Sequence, residues 1–334
     1  MRKSLAVSLA LGIASVVPLG TVYSQQAASR QQVEVLKEGG MRAERVKEGL
    51  YVIRGSFMPC TPLGCQPGGP DDGLIHEPGD VAARITPAGV ILIDDKYSEN
   101  LRDVLTQVHG ISSLPIRYVL NSHHHSDHAG GNVHFLELGV DVIAHRNIRE
   151  NFIKLNQPGA PDIVFADQAA VYLGDVEVRM YYFGRGHTDG DTVTYFPDLK
   201  TIHMGDLVID GMPVIDYRGG GSALEFPDTI GEMLKLDFDT AIPGHGHVMT
   251  RAEVQAYKIR FETMNQRMRE LVKQHVPKEQ FRTLEQIRAQ LRLADLGWGN
   301  TVSTTTFAAN FSRYYDEFAA ARDSGPLKRK RTAQ

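Results

Sequence analysis

Asn121-Ser122-His123-His124-His125-Ser126-Asp127-His128 stands directly after Ile116-Arg117-Tyr118-Val119-Leu120, a short and largely apolar run. Such a run reads as a buried strand, so the histidines open the loop that leaves its end. Taken as H-x-H-x-D-H, the loop uses four positions. In extended backbone His123 and His125 point to the same side and can share one metal. Asp127 and His128 then follow a turn and can face a second. At this chain's histidine and aspartate frequencies, a chance match to the pattern is on the order of one in a thousand.

Three further segments each place a metal-competent residue just after a predicted strand. Gly184-Arg185-Gly186-His187-Thr188-Asp189-Gly190-Asp191 follows a strand over Val176–Tyr182. His203-Met204-Gly205-Asp206 ends the next strand pair, and Ile242-Pro243-Gly244-His245-Gly246-His247 follows a final short strand. Loops at strand ends converge and can vary without disturbing the core. Four such segments in one chain point to a metal centre. Imidazole and carboxylate donors suit zinc, and iron or manganese accept the same set.

Working outward, Gly49–Gly55 reads as a strand, and the Pro/Gly-rich stretch Phe57–Asp80 as a long irregular loop of the kind that is functional or mobile. Val81–Ile85 and Gly89–Asp94 form a predicted hairpin turning at Thr86-Pro87-Ala88-Gly89. Leu101–Val108 has helical spacing, and strands recur at Asp141–Ala144, Thr192–Phe196 and Thr201–Met204. Strands and helices alternate, so the class is α/β. The last third is helical. Thr250-Arg251-Ala252-Glu253 and Thr283-Leu284-Glu285-Gln286 both fit capping boxes, and a third helix is expected over Phe307–Arg322.

With 42% apolar and 23% charged residues the chain is ordinary globular protein. A formal charge of −4, with no basic stretch in the body, argues against nucleic acid as a partner. Arg2 and Lys3 precede an apolar run over Leu5–Leu19, the layout of a cleavable signal peptide ending near Ser24. That implies a periplasmic or secreted protein with no stable membrane anchor. Cys60 and Cys65, both inside the long loop, are a disulfide candidate in such a compartment. A thiol metal site is the weaker alternative, because no further Cys or His completes it. The expected organisation is a signal peptide (1–24), a metal-binding domain (45–250), a helical extension (251–325) and a basic tail (326–334). The sequence assigns no oligomeric state.

The ordered set His123-x-His125-x-Asp127-His128, Gly186-His187-Thr188, Gly205-Asp206 and Pro243-Gly244-His245-Gly246 resembles the metallo-β-lactamase superfamily, and Val90–Asp94 is similar to its first motif. The resemblance covers roughly residues 45–250. It implies an αβ/βα four-layer sandwich with metals at one sheet edge, here with a C-terminal helical extension. Carried over residue by residue, it implies that His123, His125 and His187 hold one zinc ion. Asp127, His128 and His245 would hold a second, and Asp206 would bridge them as in the glyoxalase II-like and lactonase-like branches. Asp127 would also orient the nucleophile, and Asp94 would orient a ligand histidine. The implied activity is hydrolysis of a small-molecule carbonyl substrate by a metal-activated water. The late cysteine ligand of one β-lactamase branch has no counterpart, which tilts the substrate towards thioester, lactone or other ester without excluding β-lactam.

Two alternatives stay open at this point. One is a mononuclear non-haem iron persulfide dioxygenase using the same motif, and the other a metal-binding protein without turnover. Asp127 argues against the second, since binding alone has less need of that carboxylate. His124 is expected beside the site or in solvent, His247 outside the ligand set and His203 within a strand. Trp298 is expected to pack under a loop.

Overall fold

The structure, a computed structural model, describes residues 36–38, 40–55, 78–298 and 305–324. The proposed signal peptide, the pair Cys60 and Cys65, and the basic tail lie outside the described residues.

Two sheets form the body. The first runs in chain order through β1 (Leu36–Glu38), β2 (Met41–Lys47), β3 (Leu50–Gly55), β4 (Val81–Thr86), β5 (Gly89–Ile93), β6 (Ile116–Leu120), β7 (Asp141–His145) and β8 (Ile163–Phe165). Pairing is antiparallel from β1 to β5 and parallel from β5 to β8. The second sheet contains β9 (Gln168–Leu173), β10 (Val176–Tyr182), β11 (Thr192–Phe196), β12 (Thr201–His203), β13 (Thr240–Ile242) and β14 (Met249–Thr250), neighbouring one another in that order. Only β12 and β13 pair in parallel there. Helices α1 (Leu101–Ile111), α2 (Ser126–Ala129), α3 (Asn132–Glu137) and α4 (Arg146–Lys154) belong to the first half. Helices α5 (Phe226–Met233), α6 (Arg251–Lys273), α7 (Leu284–Leu291) and α8 (Thr305–Ser324) follow in the second.

The period-two alternation of strand side chains builds the layers. On β5, Val90 and Leu92 face one apolar cluster that includes Val104 and Val108 of α1 and Phe135 of α3. Ile91 and Ile93 face the opposite way, into a cluster shared with Val178 and Met180 of β10 and Phe196 of β11. On the far side of the second sheet, Val193 and Ile202 pack with Phe226 and Ile230 of α5 and Tyr257 and Phe261 of α6. Helix, sheet, sheet, helix is therefore the layer order, the four-layer sandwich that the motifs imply. The helical extension joins the outer layer, since Phe311, Tyr314 and Phe318 of α8 belong to the same cluster as Val193. Trp298 is buried there too, its ring edge-on to Tyr257.

Both capping boxes form. Thr250 Oγ1 accepts from Glu253 N at 3.3 Å while Glu253 Oε2 accepts from Thr250 N at 2.7 Å, and Thr283 and Gln286 repeat the exchange. Thr250→Ala removes one half of the first exchange and is expected to cost about 1 kcal/mol. Urea denaturation of the two proteins side by side checks this, and unchanged stability would show that α6 is held by packing alone. No helix among the described residues is long and apolar enough to cross a membrane.

Candidate metal centre

Five strand ends deliver the candidate residues to one edge of the sandwich. β5 leads into Asp94, β6 leads into residues 121–128, β10 leads into the loop of His187, β12 precedes Asp206, and β13 precedes His245. The chain bends over residues 122–124, and His125 is extended, at φ −64°, ψ 145°, before the chain turns into α2. That turn sends His123 and His125 one way and Asp127 and His128 the other.

Two donor sets result. In the first, His125 Nδ1 lies 3.1 Å from His123 Nε2 and 3.0 Å from His187 Nε2. Asp206 Oδ2 closes this set, 3.6 Å from His187 Nε2 and 4.0 Å from His123 Nε2. In the second, His128 Nε2 lies 3.2 Å from His245 Nε2 and 3.4 Å from Asp127 Oδ2, which is itself 3.3 Å from His245 Nε2. Asp206 Oδ1 joins it, 3.2 Å from His128 Nε2 and 3.5 Å from His245 Nε2. Asp206 therefore presents one oxygen to each set. Ligands about 2.0–2.1 Å from a tetrahedral zinc ion sit roughly 3.3 Å apart, and the second set matches that spacing, while in the first the Asp206 oxygen stands wider, up to 4.0 Å from His123 Nε2. Asp206 Oδ1 is buried yet makes no well-aligned hydrogen bond, as expected of an oxygen reserved for a cation. The His/Asp clusters suit a metal site in donor chemistry and in spacing.

Four of the five ring nitrogens turned away from the clusters are also held, the exception being His245 Nδ1. Asp94 Oδ2 contacts His128 Nδ1 at 2.9 Å and accepts from Ser122 Oγ at 2.6 Å, and that hydroxyl meets His123 Nδ1 at 3.1 Å. One buried carboxylate thus orients a histidine in each set. His187 Nδ1 lies 2.8 Å from the Val214 carbonyl, and His125 Nε2 lies 3.0 Å from Asp216 Oδ2. Such outer partners fix ring orientation and tautomer at metal sites.

Electrostatics prepare the centre for cations. Burial holds His123 well below the usual imidazole range and brings His187 to about 4. Burial alone would raise Asp127 and Asp206, but the neighbouring histidines, His128 foremost, hold both well below the carboxylate range. Burial would likewise lower His128, yet Asp127 and Asp206 raise it well above its ordinary value. Metal arriving at the second set must therefore displace a proton from His128, which makes its binding pH-dependent.

Asp216 and Ser122 were not singled out by sequence reasoning. The available signal was Gly219-Gly220-Gly221, because glycine runs mark close backbone approach. A Cβ at Gly219 would meet His124 Cε1 at 2.4 Å, and one at Gly221 would meet the His187 carbonyl at 2.3 Å. His124 is buried, 3.6 Å from Asp216 Oδ2, and burial lowers its pKa to about 3. Its place is beside the site and not in solvent. His247 faces outward onto Asp210 at 2.7 Å. His203 lies within β12, its Nε2 on the Asp80 carbonyl.

A layered α/β sandwich with paired His/Asp clusters at one sheet edge defines a class of metal-binding protein. The model of the Metallo-beta-lactamase superfamily matches residues 89–245, so this part of the chain is similar to that superfamily. Metallo-beta-lactamase type 2 of Elizabethkingia meningoseptica is 29% identical over 133 residues, 38% of this chain and 51% of that protein. The 2,4-dinitroanisole O-demethylase subunit alpha of Nocardioides sp. (strain JS1661) is 26% identical over 145 residues, 42% of this chain and 44% of that protein. The chain spans about half the length of these curated relatives. Among solved structures, the metallo-β-lactamase from Pontibacter korlensis superposes with a TM-score of 0.55 at 20% identity, over 64% of this chain and 95% of that chain. That likeness is one of fold.

Proposed function

We propose that the chain is an exported, dizinc hydrolase that cleaves a small-molecule carbonyl substrate. His123, His125 and His187 would hold one ion, Asp127, His128 and His245 the other, and Asp206 would serve both. The observation that carries this reading is the division of the two Asp206 oxygens between two complete donor sets. A single-iron centre would leave Asp127, His128 and His245 without a metal to hold. Zinc, when bound, lowers the pKa of coordinated water to about 7 and polarises a carbonyl oxygen.

The chain's own groups do the rest. Asp127 is ionised at neutral pH and partly exposed, so Oδ2 can accept a hydrogen bond from the attacking water and orient it. With so low a pKa it directs a proton and does not store one. Asp94 and Asp216 keep the imidazoles turned inward. His125, Asp216 and Asp127 are the more exposed members of the set and form its open side. The segment over residues 1–24 supports export, and the relative named as a β-lactamase puts a β-lactam first among substrates, ahead of lactone, ester and thioester.

The test is turnover of a chromogenic β-lactam, an aryl ester and a thioester, before and after chelation. At least one should be hydrolysed, activity should vanish with the metal, and zinc should restore it. Full turnover at a metal content near zero would overturn the proposal, as would inertness towards all three with both ions bound.

A further inference from the structure

The helical extension reaches the metal centre without touching it. Glu317 on α8 takes three hydrogen bonds from a single loop. Its Oε1 accepts from Ser222 Oγ at 2.5 Å, and its Oε2 accepts from Tyr217 Oη at 2.9 Å and from Ala223 N at 3.0 Å. Asn265 of α6 takes hold beside it, donating Nδ2 to the Ala223 carbonyl at 2.7 Å. The loop so gripped is the one that supplies the Val214 carbonyl to His187 and the Asp216 carboxylate to His125. Its backbone is tied to the His187 segment as well. Asp216 N donates to His187 O at 2.8 Å, and Ser222 N donates to Gly186 O at 2.9 Å.

We propose that Glu317 is a positioning residue for the first donor set, locking residues 214–223 so that Val214 and Asp216 orient His187 and His125. The inference rests on the reading that these histidines hold a metal. A carboxylate suits the task because it offers only acceptors, with lone pairs enough for all three donors. Glutamine replaces one acceptor oxygen by an amide that must face a donor. Alanine leaves all three donors without this partner. Apolar packing of Phe311 and Tyr314 against Ile215 would still seat α8, so what Glu317→Ala removes is the polar lock and not the helix.

Loss of an outer partner of a metal ligand commonly costs 10–100-fold in metal affinity. Glu317 acts one bond further out, so Glu317→Ala should raise the zinc Kd of the first donor set about tenfold. Zinc affinity of the full-length chain is measured by competition with a chromogenic chelator, alongside Tm of the metal-free protein. Phe281→Leu is the comparator. Phe281 packs on Tyr315 of α8 and takes no part in the Glu317 hydrogen bonds, and should lower Tm while leaving zinc Kd within about twofold, inside the range of an unaffected site. Glu317→Gln should fall between wild type and Glu317→Ala. If Glu317→Ala does not fold, Ser222→Ala and Tyr217→Phe remove two of the donors singly and should each weaken zinc binding in the same direction.

A zinc Kd unchanged in Glu317→Ala, or shifted as far by Phe281→Leu at equal loss of Tm, would overturn the inference. His125→Ala separates the two layers of the argument. It should abolish tight binding of one ion, and its failure to do so would sink the metal-site reading and this inference with it. Loss of zinc in His125→Ala with none in Glu317→Ala would sink the inference alone.

Discussion

Asp206→Ala is expected to lose metal from both donor sets together, with turnover falling by more than the 10–100-fold typical of an outer partner. The reason lies in the placement of its oxygens, Oδ1 3.2 Å from His128 Nε2 and Oδ2 3.6 Å from His187 Nε2. Alanine takes one donor from each set. It also takes a buried negative charge from among five imidazoles, and Asp206 is one of the groups that keep His128 protonated in the metal-free protein. Removing it returns His128 towards the low pKa that burial favours. His247→Ala is the comparator two residues beyond His245. His247 is exposed and paired with Asp210 and Glu253, so its removal should leave metal content nearly unchanged. Equal metal loss from both variants, read by elemental mass spectrometry, would mean that the last histidine segment has been misassigned.

Gly79→Ala should act on the second set alone. An added Cβ would lie 2.2 Å from His128 Cε1 and 2.5 Å from its Nδ1, closer than packed atoms approach. Neither side can move freely. The ring is held by Asp94 at 2.9 Å, and Gly79 is held by its N–H on the Asp127 carbonyl and by Lys96 Nζ on its own carbonyl. Overpacking of this kind costs about 1–3 kcal/mol in stability. Here the strain falls on a proposed ligand, so affinity for the second ion should drop 10–100-fold or more while the first set keeps its own. The expected product is a folded chain with one ion and little turnover, unlike Asp206→Ala, which loses both. Two ions and full turnover in Gly79→Ala would show that residues 78–80 yield without disturbing His128.

Much of the candidate centre was legible because each segment that contributes to it is local. A strand end followed by a few histidines or a Gly-Asp pair carries its meaning within about six residues, and short strand-like runs announced β5, β6, β10 and β11. β2 was not legible. Arg42, Glu44, Arg45 and Lys47 make it read as polar, and the inward pair Met41 and Ala43 gains meaning only when β3 lies alongside and Arg54 meets Glu44. Asp216 and Glu317 stayed hidden for a related reason. Asp216 meets His125 across 91 residues, and Glu317 meets Tyr217 across 100. No periodicity or short motif encodes contacts of that range. The loop over Phe57–Asp80 was read as one of the functional or mobile kind. Of it, Pro78, Gly79 and Asp80 are described, and that end does reach the second set, Asp80 N donating to the Gly244 carbonyl at 2.7 Å.

The most direct test of two ions held by seven side chains is a zinc stoichiometry on the purified chain. Protein stripped by chelator, reloaded with excess zinc and desalted should carry two ions per chain by native mass spectrometry. One ion or fewer at saturating zinc would contradict the bridging role of Asp206 and the dinuclear centre built on it.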